Sequence, residues 1–267
     1  MSYNKLCATR HGPMLANRND SHVGRSLIKY GEFSKGETDL FASIVPQEGL
    51  VVEVGANVGA LTIPLARIAQ CMLAIEPQRI PFQTLCANLQ INSLLNVWTL
   101  QAACSDTTGR TPVLDYDPHT AQNFGGARLP KTAKHLNHVP LVRLDDVLSE
   151  SELPLMFLKI DVEGMERAVM RGGEATIRRD RPVLYFENDR METYLENVQW
   201  VEETFGYRIF QHLPPLYSED NYNGDAENVF TDALGRPIVS GNCIGVSRDS
   251  PLIPQLEAIA ERVEVAA

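Results

Sequence analysis

The side chains best placed for chemistry are carboxylates at the ends of apolar runs. Asp161 directly follows the run Leu155-Met-Phe-Leu-Lys-Ile160, and Glu187 directly follows Pro182-Val-Leu-Tyr-Phe186. Of two earlier runs, Cys71-Met-Leu-Ala-Ile75 is followed in the same way by Glu76, and Leu50-Val-Val-Glu-Val54 carries Glu53 one residue before its end. A carboxylate at such a position can accept a proton from a hydroxyl or orient a polar ligand. Asp161 and Glu187 are therefore catalytic candidates, with Asp161 the first choice. His212 joins them because an imidazole has the intrinsic pKa of a base near neutrality. A lone histidine at a loop edge is more often solvated than catalytic. Glu163 reads both as a functional acid and as a helix N-terminal acid favoured by the dipole. Asp161, Glu163 and Glu187 have a spacing that could gather magnesium. No histidine reinforces that set, so no metal site is expected.

The run Glu53-Val-Gly-Ala-Asn-Val-Gly59 joins an apolar run to a helical pattern. Glycines there let the chain turn tightly and let a ligand approach the backbone. A nicotinamide or flavin fingerprint G-x-G-x-x-G fails twice, since Asn57 and Ala60 stand where glycines belong. A phosphate-binding P-loop would need a Lys-Ser or Lys-Thr pair, which is absent. S-adenosylmethionine has no pyrophosphate to cradle, and Glu53, two positions ahead of Gly55, suits its methionine part. Glu76 falls where a carboxylate can accept both ribose hydroxyls of an adenosine. The expected cofactor is S-adenosylmethionine, held by Glu53, Gly55, Ala56, Asn57, Gly59, Glu76, Pro77 and Asp161. Gln101 and Ala102 are candidates for the adenine, and Glu37 and Thr38 for closing over the methionine end. Glu37 also reads as a first-turn helix acid.

These residues need an alternating scaffold to bring them together. Apolar runs at 50–54, 71–75, 97–103, 155–160 and 182–186 alternate with helical patterns at 58–69, 82–91, from 165, and 191–205. Strands near 207–212 and 242–246 follow, and an apolar pattern at 252–263 predicts a surface helix. Strand and helix in alternation imply an α/β, Rossmann-like doubly wound fold. The expectation is a seven-stranded, mostly parallel sheet with helices on both faces. In such sheets ligands bind outside the carboxyl ends of the strands, where the order reverses. Residues 1–25 show no clear period, which predicts an N-terminal arm over 1–30 before one domain at 31–267. Irregular segments at 114–138 and 214–241 break the rhythm and predict loop insertions. The first carries Gly125, Gly126, Lys131 and three histidines; Tyr217, Asn221, Tyr222 and Asn228 of the second could meet an acceptor or form turns.

The 267 residues carry 24 basic and 34 acidic side chains, a formal charge of -10. That balance argues against a nucleic-acid polymer as partner, because such binders show a basic patch. The densest basic cluster, Arg178, Arg179 and Arg181, suits a helix C-terminus. The five cysteines show no CxxC spacing, which argues against a zinc site or a disulfide framework. No stretch approaches the roughly 18 apolar residues of a membrane span, and the N-terminus lacks the apolar core of a signal peptide. A cytoplasmic protein that makes no membrane contact is expected, with a homo-oligomer left open.

Several motifs together resemble the FkbM-type methyltransferases. They are Tyr30-Gly31-Glu32, Glu37, Val52-Glu-Val-Gly-Ala-Asn-Val-Gly59, Ala74-Ile-Glu-Pro77, Asn88 and Asn96-Val97. Arg143-Leu-Asp-Asp146, Leu158-Lys-Ile-Asp-Val-Glu-Gly164, Glu166, Arg181-Pro182 and Glu187 continue the resemblance over about residues 30–190. One departure is Glu53, where the family commonly has Asp. The resemblance implies a class I methyltransferase fold and methyl transfer, most often to a hydroxyl of a sugar or a polyketide-type natural product. N-methylation on the same fold, a nicotinamide-dependent oxidoreductase and a catalytically silent S-adenosylmethionine-binding module are the alternatives.

Overall fold

The computed structural model describes residues 2–114, 116–126 and 136–263. Lys131 and His135 of the first irregular segment lie outside them. The chain opens with β1 (Asn4–Cys7), β2 (Met14–Asn17), α1 (Val23–Tyr30) and α2 (Lys35–Ile44). The next elements are β3 (Leu50–Val54), α3 (Thr62–Ile68), β4 (Cys71–Ile75), α4 (Arg79–Ile91) and β5 (Val97–Leu100). A smaller unit contains β6 (Ala103–Cys104), β7 (Gly109–Leu114) and β8 (Leu136–Val142). Then come α5 (Leu144–Val147), β9 (Leu155–Ile160), α6 (Glu166–Gly172), α7 (Glu174–Asp180) and β10 (Val183–Glu187). The chain continues with α8 (Tyr194–Phe205), β11 (Tyr207–His212), β12 (Asn242–Ser247), α9 (Ile253–Ile259) and β13 (Glu261–Arg262).

The main sheet runs β13-β11-β12-β10-β9-β3-β4-β5. The pairs β5/β4, β4/β3, β3/β9 and β9/β10 are parallel, while β12 is antiparallel to both β10 and β11. Seven strands make the expected mostly parallel sheet, and the two-residue β13 adds an edge beside β11. The strand order reverses at β3, with β4 on one side and β9, much later in the chain, on the other. That reversal opens a crevice at the carboxyl ends of these strands.

Apolar residues on both sides of each strand explain why the sheet is covered twice. Val52, Val54, Leu158, Ile160, Leu184 and Phe186 pack with residues of α6, α7 and α8. Val51, Phe157, Val183 and Tyr185 alternate with them and pack with Leu40, Phe41, Leu65 and Leu256 of α2, α3 and α9. By the same period of two, Glu53, Lys159 and Glu187 belong to the second face, beneath α2.

Several boundaries moved from their expected places. Helix α3 begins at Thr62 rather than Val58, because Asn57 and Gly59 take positive φ and spend four residues turning. Pro64 thus falls in the first helical turn, where its missing N–H has no partner to lose. The third core strand stops at Leu100, and Ala103–Cys104 pairs instead with β8 in a three-stranded sheet. The final helix ends at Ile259, and the chain then pairs along β11.

The aperiodic lead-in contains the β1–β2 hairpin and α1. Asn88, fully buried, fixes it: its Oδ1 accepts the Leu15 N–H, and its Nδ2 donates to the carbonyls of Leu15 and Val58. Residues 214–241 are tied down by Tyr30, whose hydroxyl donates to the Glu227 carbonyl and accepts the Val229 N–H. Glu32 adds a bond from the Tyr222 N–H and an ion pair with Arg10. Among the described residues, no helix is long and apolar enough to cross a membrane.

Candidate active site

A cleft of about 280 Å³ opens at the carboxyl ends of β3, β4, β9 and β10. Its floor is the loop after β3. Gly55 has φ 89°, and a Cβ there would run into the Asp161 carbonyl oxygen. Only glycine lets these two chain segments pass so closely. The N–H groups of Gly55 and Ala56 both donate to the Ile75 carbonyl, which locks the loop to the end of β4.

Glu76 sits in the cleft wall and is buried. Its Oε2 accepts the Asn57 N–H at 2.8 Å, and its Oε1 accepts the Gln78 N–H at 2.7 Å. Burial pushes its pKa up to about 7, against the opposing pull of those two backbone bonds. Asn57 Oδ1 and Gln78 Oε1 are buried, face no hydrogen-bond partner among the described residues, and belong to residues of the same wall. Buried polar atoms in that state call for a ligand or water.

Beneath this rim lies a charged row. Glu53, Lys159 and Tyr185 are register partners across β3, β9 and β10. Lys159 Nζ lies 3.5 Å from Glu53 Oε1 and 3.2 Å from Asp161 Oδ2. Glu53 Oε2 accepts the Thr62 hydroxyl at 2.6 Å. Burial raises the Glu53 carboxyl, and Lys159 and Thr62 pull it back. The Asp161 side chain is 43% exposed and faces the cleft, whereas Lys159 is 3% exposed. Glu187 shares the cleft wall, and its pKa rises to about 9 through burial and the neighbouring charges of Asp161, Glu163 and Asp189.

The cleft wall takes in Glu53, Gly55, Ala56, Asn57, Glu76, Pro77, Ala102, Asp161 and Glu187. Gly59 and Gln101 fall outside it. Gly59 turns toward Leu85 with φ 88°, and the Gln101 amide reaches back to the Pro77 carbonyl. Glu37 and Thr38 lie in the first turn of α2, behind the cleft. Thr38 donates to the Lys35 carbonyl and Glu37 accepts the Ser34 hydroxyl, while burial raises Glu37 to about 7.

His212 is also outside the wall. Strand β12 stands between β10 and β11, which separates the end of β11 from the end of β10 in the sheet. Its Nδ1 is 3.0 Å from the buried Tyr185 hydroxyl, and burial lowers its pKa to about 4. The imidazole is thus neutral at physiological pH.

The four polar residues of the second insertion make turns. Asn221 bonds Ser218 and Asp225, Tyr217 bonds Asp225, Asn228 accepts the Phe230 N–H, and Tyr222 is half exposed. The insertion reaches the cleft instead through Leu216 and residues 238–241, and the first insertion through residues 123–126. His22, Val23 and Phe33 close the wall from the N-terminal side. Gly125 and Gly126 stand out in the sequence, whereas Leu216, residues 238–241, His22, Val23, Phe33 and Lys159 give no such sign. Loop residues carry no period, and Lys159 is hidden inside an apolar strand. Among the described residues, no three His, Cys, Asp or Glu side chains are arranged to hold a metal ion.

The family model for the methyltransferase FkbM domain matches residues 53–211, from the glycine loop to the end of β11. The chain belongs to the FkbM methyltransferase family. This is a family of S-adenosylmethionine-dependent methyltransferases. The crystal structure of methyltransferase FkbM from Methylobacillus flagellatus has the same fold, with 17% identity and a TM-score of 0.51. The match covers 74% of this chain and 43% of that one, so this chain spans less than half of that protein's length. TYW2 of M. jannaschii, solved with AdoMet, is similar at 15% identity and a TM-score of 0.51, over 92% of this chain and 86% of that one. No curated protein matches the chain at a significant level. The FkbM match includes Glu53, Glu76, Lys159, Asp161 and Glu187. It leaves out Leu216 and residues 238–241, the part of the wall that the second insertion supplies.

Proposed function

We propose that this FkbM-family chain transfers a methyl group from S-adenosylmethionine to a hydroxyl oxygen on a sugar or natural-product-type small molecule. The observation that carries this reading is a single cleft with a buried, doubly anchored Glu76 at one side and the carboxylates Asp161 and Glu187 at the other.

The residues fit the cofactor. Each Glu76 oxygen accepts one backbone N–H and keeps a lone pair for a ribose hydroxyl. The unpartnered amide oxygens of Asn57 and Gln78 offer acceptors along the same wall. Pro77 and Ala102 supply apolar contact for the adenine, and the turn at Gly55 and Ala56, with Glu53 below, suits the methionine portion. Bound S-adenosylmethionine would supply an already activated methyl on a sulfonium.

The chain then has two tasks, alignment and proton removal. Asp161, a partly exposed carboxylate of the cleft, accepts the hydroxyl proton at Oδ1, while Oδ2 stays with Lys159. Glu187, with its raised pKa, is protonated near neutrality and donates a hydrogen bond that orients the acceptor. Leu216, Ile238 and Val239 shield the acceptor side from water. His212 takes no part in proton removal.

N-methylation is the second reading. Asp161, Glu163, Glu187 and Asp189 all line the cleft and would suit a protonated amine as well as a hydroxyl. Methyl-13C-labelled S-adenosylmethionine, incubated with a panel of hydroxylated and aminated sugars, separates the two readings by the carbon shift of the transferred methyl. An O-methyl signal is expected. A signal confined to N-methyl products would replace the hydroxyl by an amine.

A further inference from the structure

Lys159 is a charged side chain in the middle of an apolar strand, and its surroundings account for it. It sits in one row between Glu53 on β3 and Tyr185 on β10, with Asp161 two residues on toward the cleft. Helix α2 covers the row and adds Glu37, whose carboxyl also reaches the Tyr185 hydroxyl. On the far side of Tyr185 stands the neutral His212. A buried lysine lacking partners would lose its proton. Here burial is the largest single influence and acts downward, yet Asp161, Glu53 and Glu37 together outweigh it and hold the ammonium charged.

The proton count of the row therefore matters. Glu53 and Asp161 share one ammonium at 3.5 and 3.2 Å, while Thr62 holds the other Glu53 oxygen. Glu37 is satisfied separately by Ser34. A purely structural role would be served as well by an apolar side chain of equal length, since buried ion pairs seldom stabilise more than their hydrophobic replacements.

We propose that Lys159 is a positioning residue of the cleft: its ammonium, clamped between Glu53 and Asp161, holds Glu53 charged and keeps both carboxylates aimed at the bound ligands. This rests on the methyltransferase reading above. It assigns Glu53 to the donor's amino group and Asp161 to the acceptor, with one fixed cation setting the pose of both.

The test is calorimetric titration of wild type and Lys159→Met with S-adenosylhomocysteine, from about pH 6 to about pH 8.5. Methionine keeps the length and removes the charge. Glu53, deprived of its cation, is left to the upward push of burial and holds a proton more readily than in the wild type. The variant is expected to bind about tenfold or more weakly at neutral pH. Its deficit relative to wild type should shrink as rising pH ionises Glu53, and Glu53→Gln added to Lys159→Met should abolish that recovery. A deficit of the same size at every pH means that Lys159 only supports the fold, and it overturns the proposal, as does a variant that binds like wild type. A wild type that fails to bind S-adenosylhomocysteine overturns the methyltransferase reading, and this assignment with it.

If Lys159→Met does not fold, carboxyl 13C resonances of the wild type carry the test, with Glu53 assigned through Glu53→Gln. An ionised Glu53 throughout the neutral range is expected. A protonated Glu53 at neutral pH overturns the proposal.

Discussion

The backbone N–H of Asn57 donates to Oε2 of Glu76 at 2.8 Å, tying the glycine loop after β3 to the end of β4. Asn57 makes this bond from a left-handed conformation, φ 50°, which asparagine tolerates better than most residues. The pair thus shapes the loop and aims the carboxylate at the same time. Glu76→Ala should weaken S-adenosylhomocysteine binding by about 10- to 100-fold, the worth of one or two hydrogen bonds to a charged group. Calorimetry with thermal melting alongside separates lost ligand contacts from a loosened loop.

Asp161→Ala should leave S-adenosylhomocysteine affinity within about threefold of wild type and lower kcat by about 10²- to 10⁴-fold, the usual contribution of a positioned base. The measurement is single-turnover methyl transfer to whichever acceptor the labelled panel reveals. Normal turnover by the variant would remove Asp161 from the chemistry.

Glu187 makes stability depend on pH in a defined direction. Its folded pKa, about 9, lies above the ordinary 4.5, so the folded state holds a proton that the unfolded chain releases. The stabilisation is fully present below about pH 4.5 and is lost as pH rises through about 9. Glu187→Gln stays neutral and escapes this loss. At about pH 8 the variant should melt a few degrees above wild type, and near pH 4.5 the two should melt together. Thermal scans at the two pH values check this.

Tyr30→Phe should loosen the second insertion. The substitution removes the acceptor of the Val229 N–H and the donor to the Glu227 carbonyl. Both bonds are only part-buried, so their loss costs on the order of 1 kcal/mol, toward the low end for unpaired backbone groups. Limited proteolysis should cut faster within 214–241, while residues 50–114 and 136–200 stay protected.

The parallel core was legible because strands buried on both faces are continuous apolar runs, as at 50–54 and 155–160. Glu76 and Asp161 were legible because each directly follows such a run. Lys159 was not, because a charge within an apolar run gives no sign of its partner until Glu53 is seen in register with it. The β1–β2 hairpin was equally hidden, since four-residue strands are too short to show a period. Nor does sequence spacing count strands: that β12 lies between β10 and β11, setting His212 apart from the cleft, is a fact of topology. Tyr30-Gly31-Glu32 stood out as a motif before its use was visible; the structure shows it anchoring the insertion that lies outside the FkbM match.

The most direct test of the central claim is calorimetric titration of the wild-type protein with S-adenosylmethionine, S-adenosylhomocysteine and NADH. The site described here predicts binding of the first two in the micromolar range, roughly -8 kcal/mol, with no heat from NADH. Binding of NADH, with neither of the other two, would contradict it.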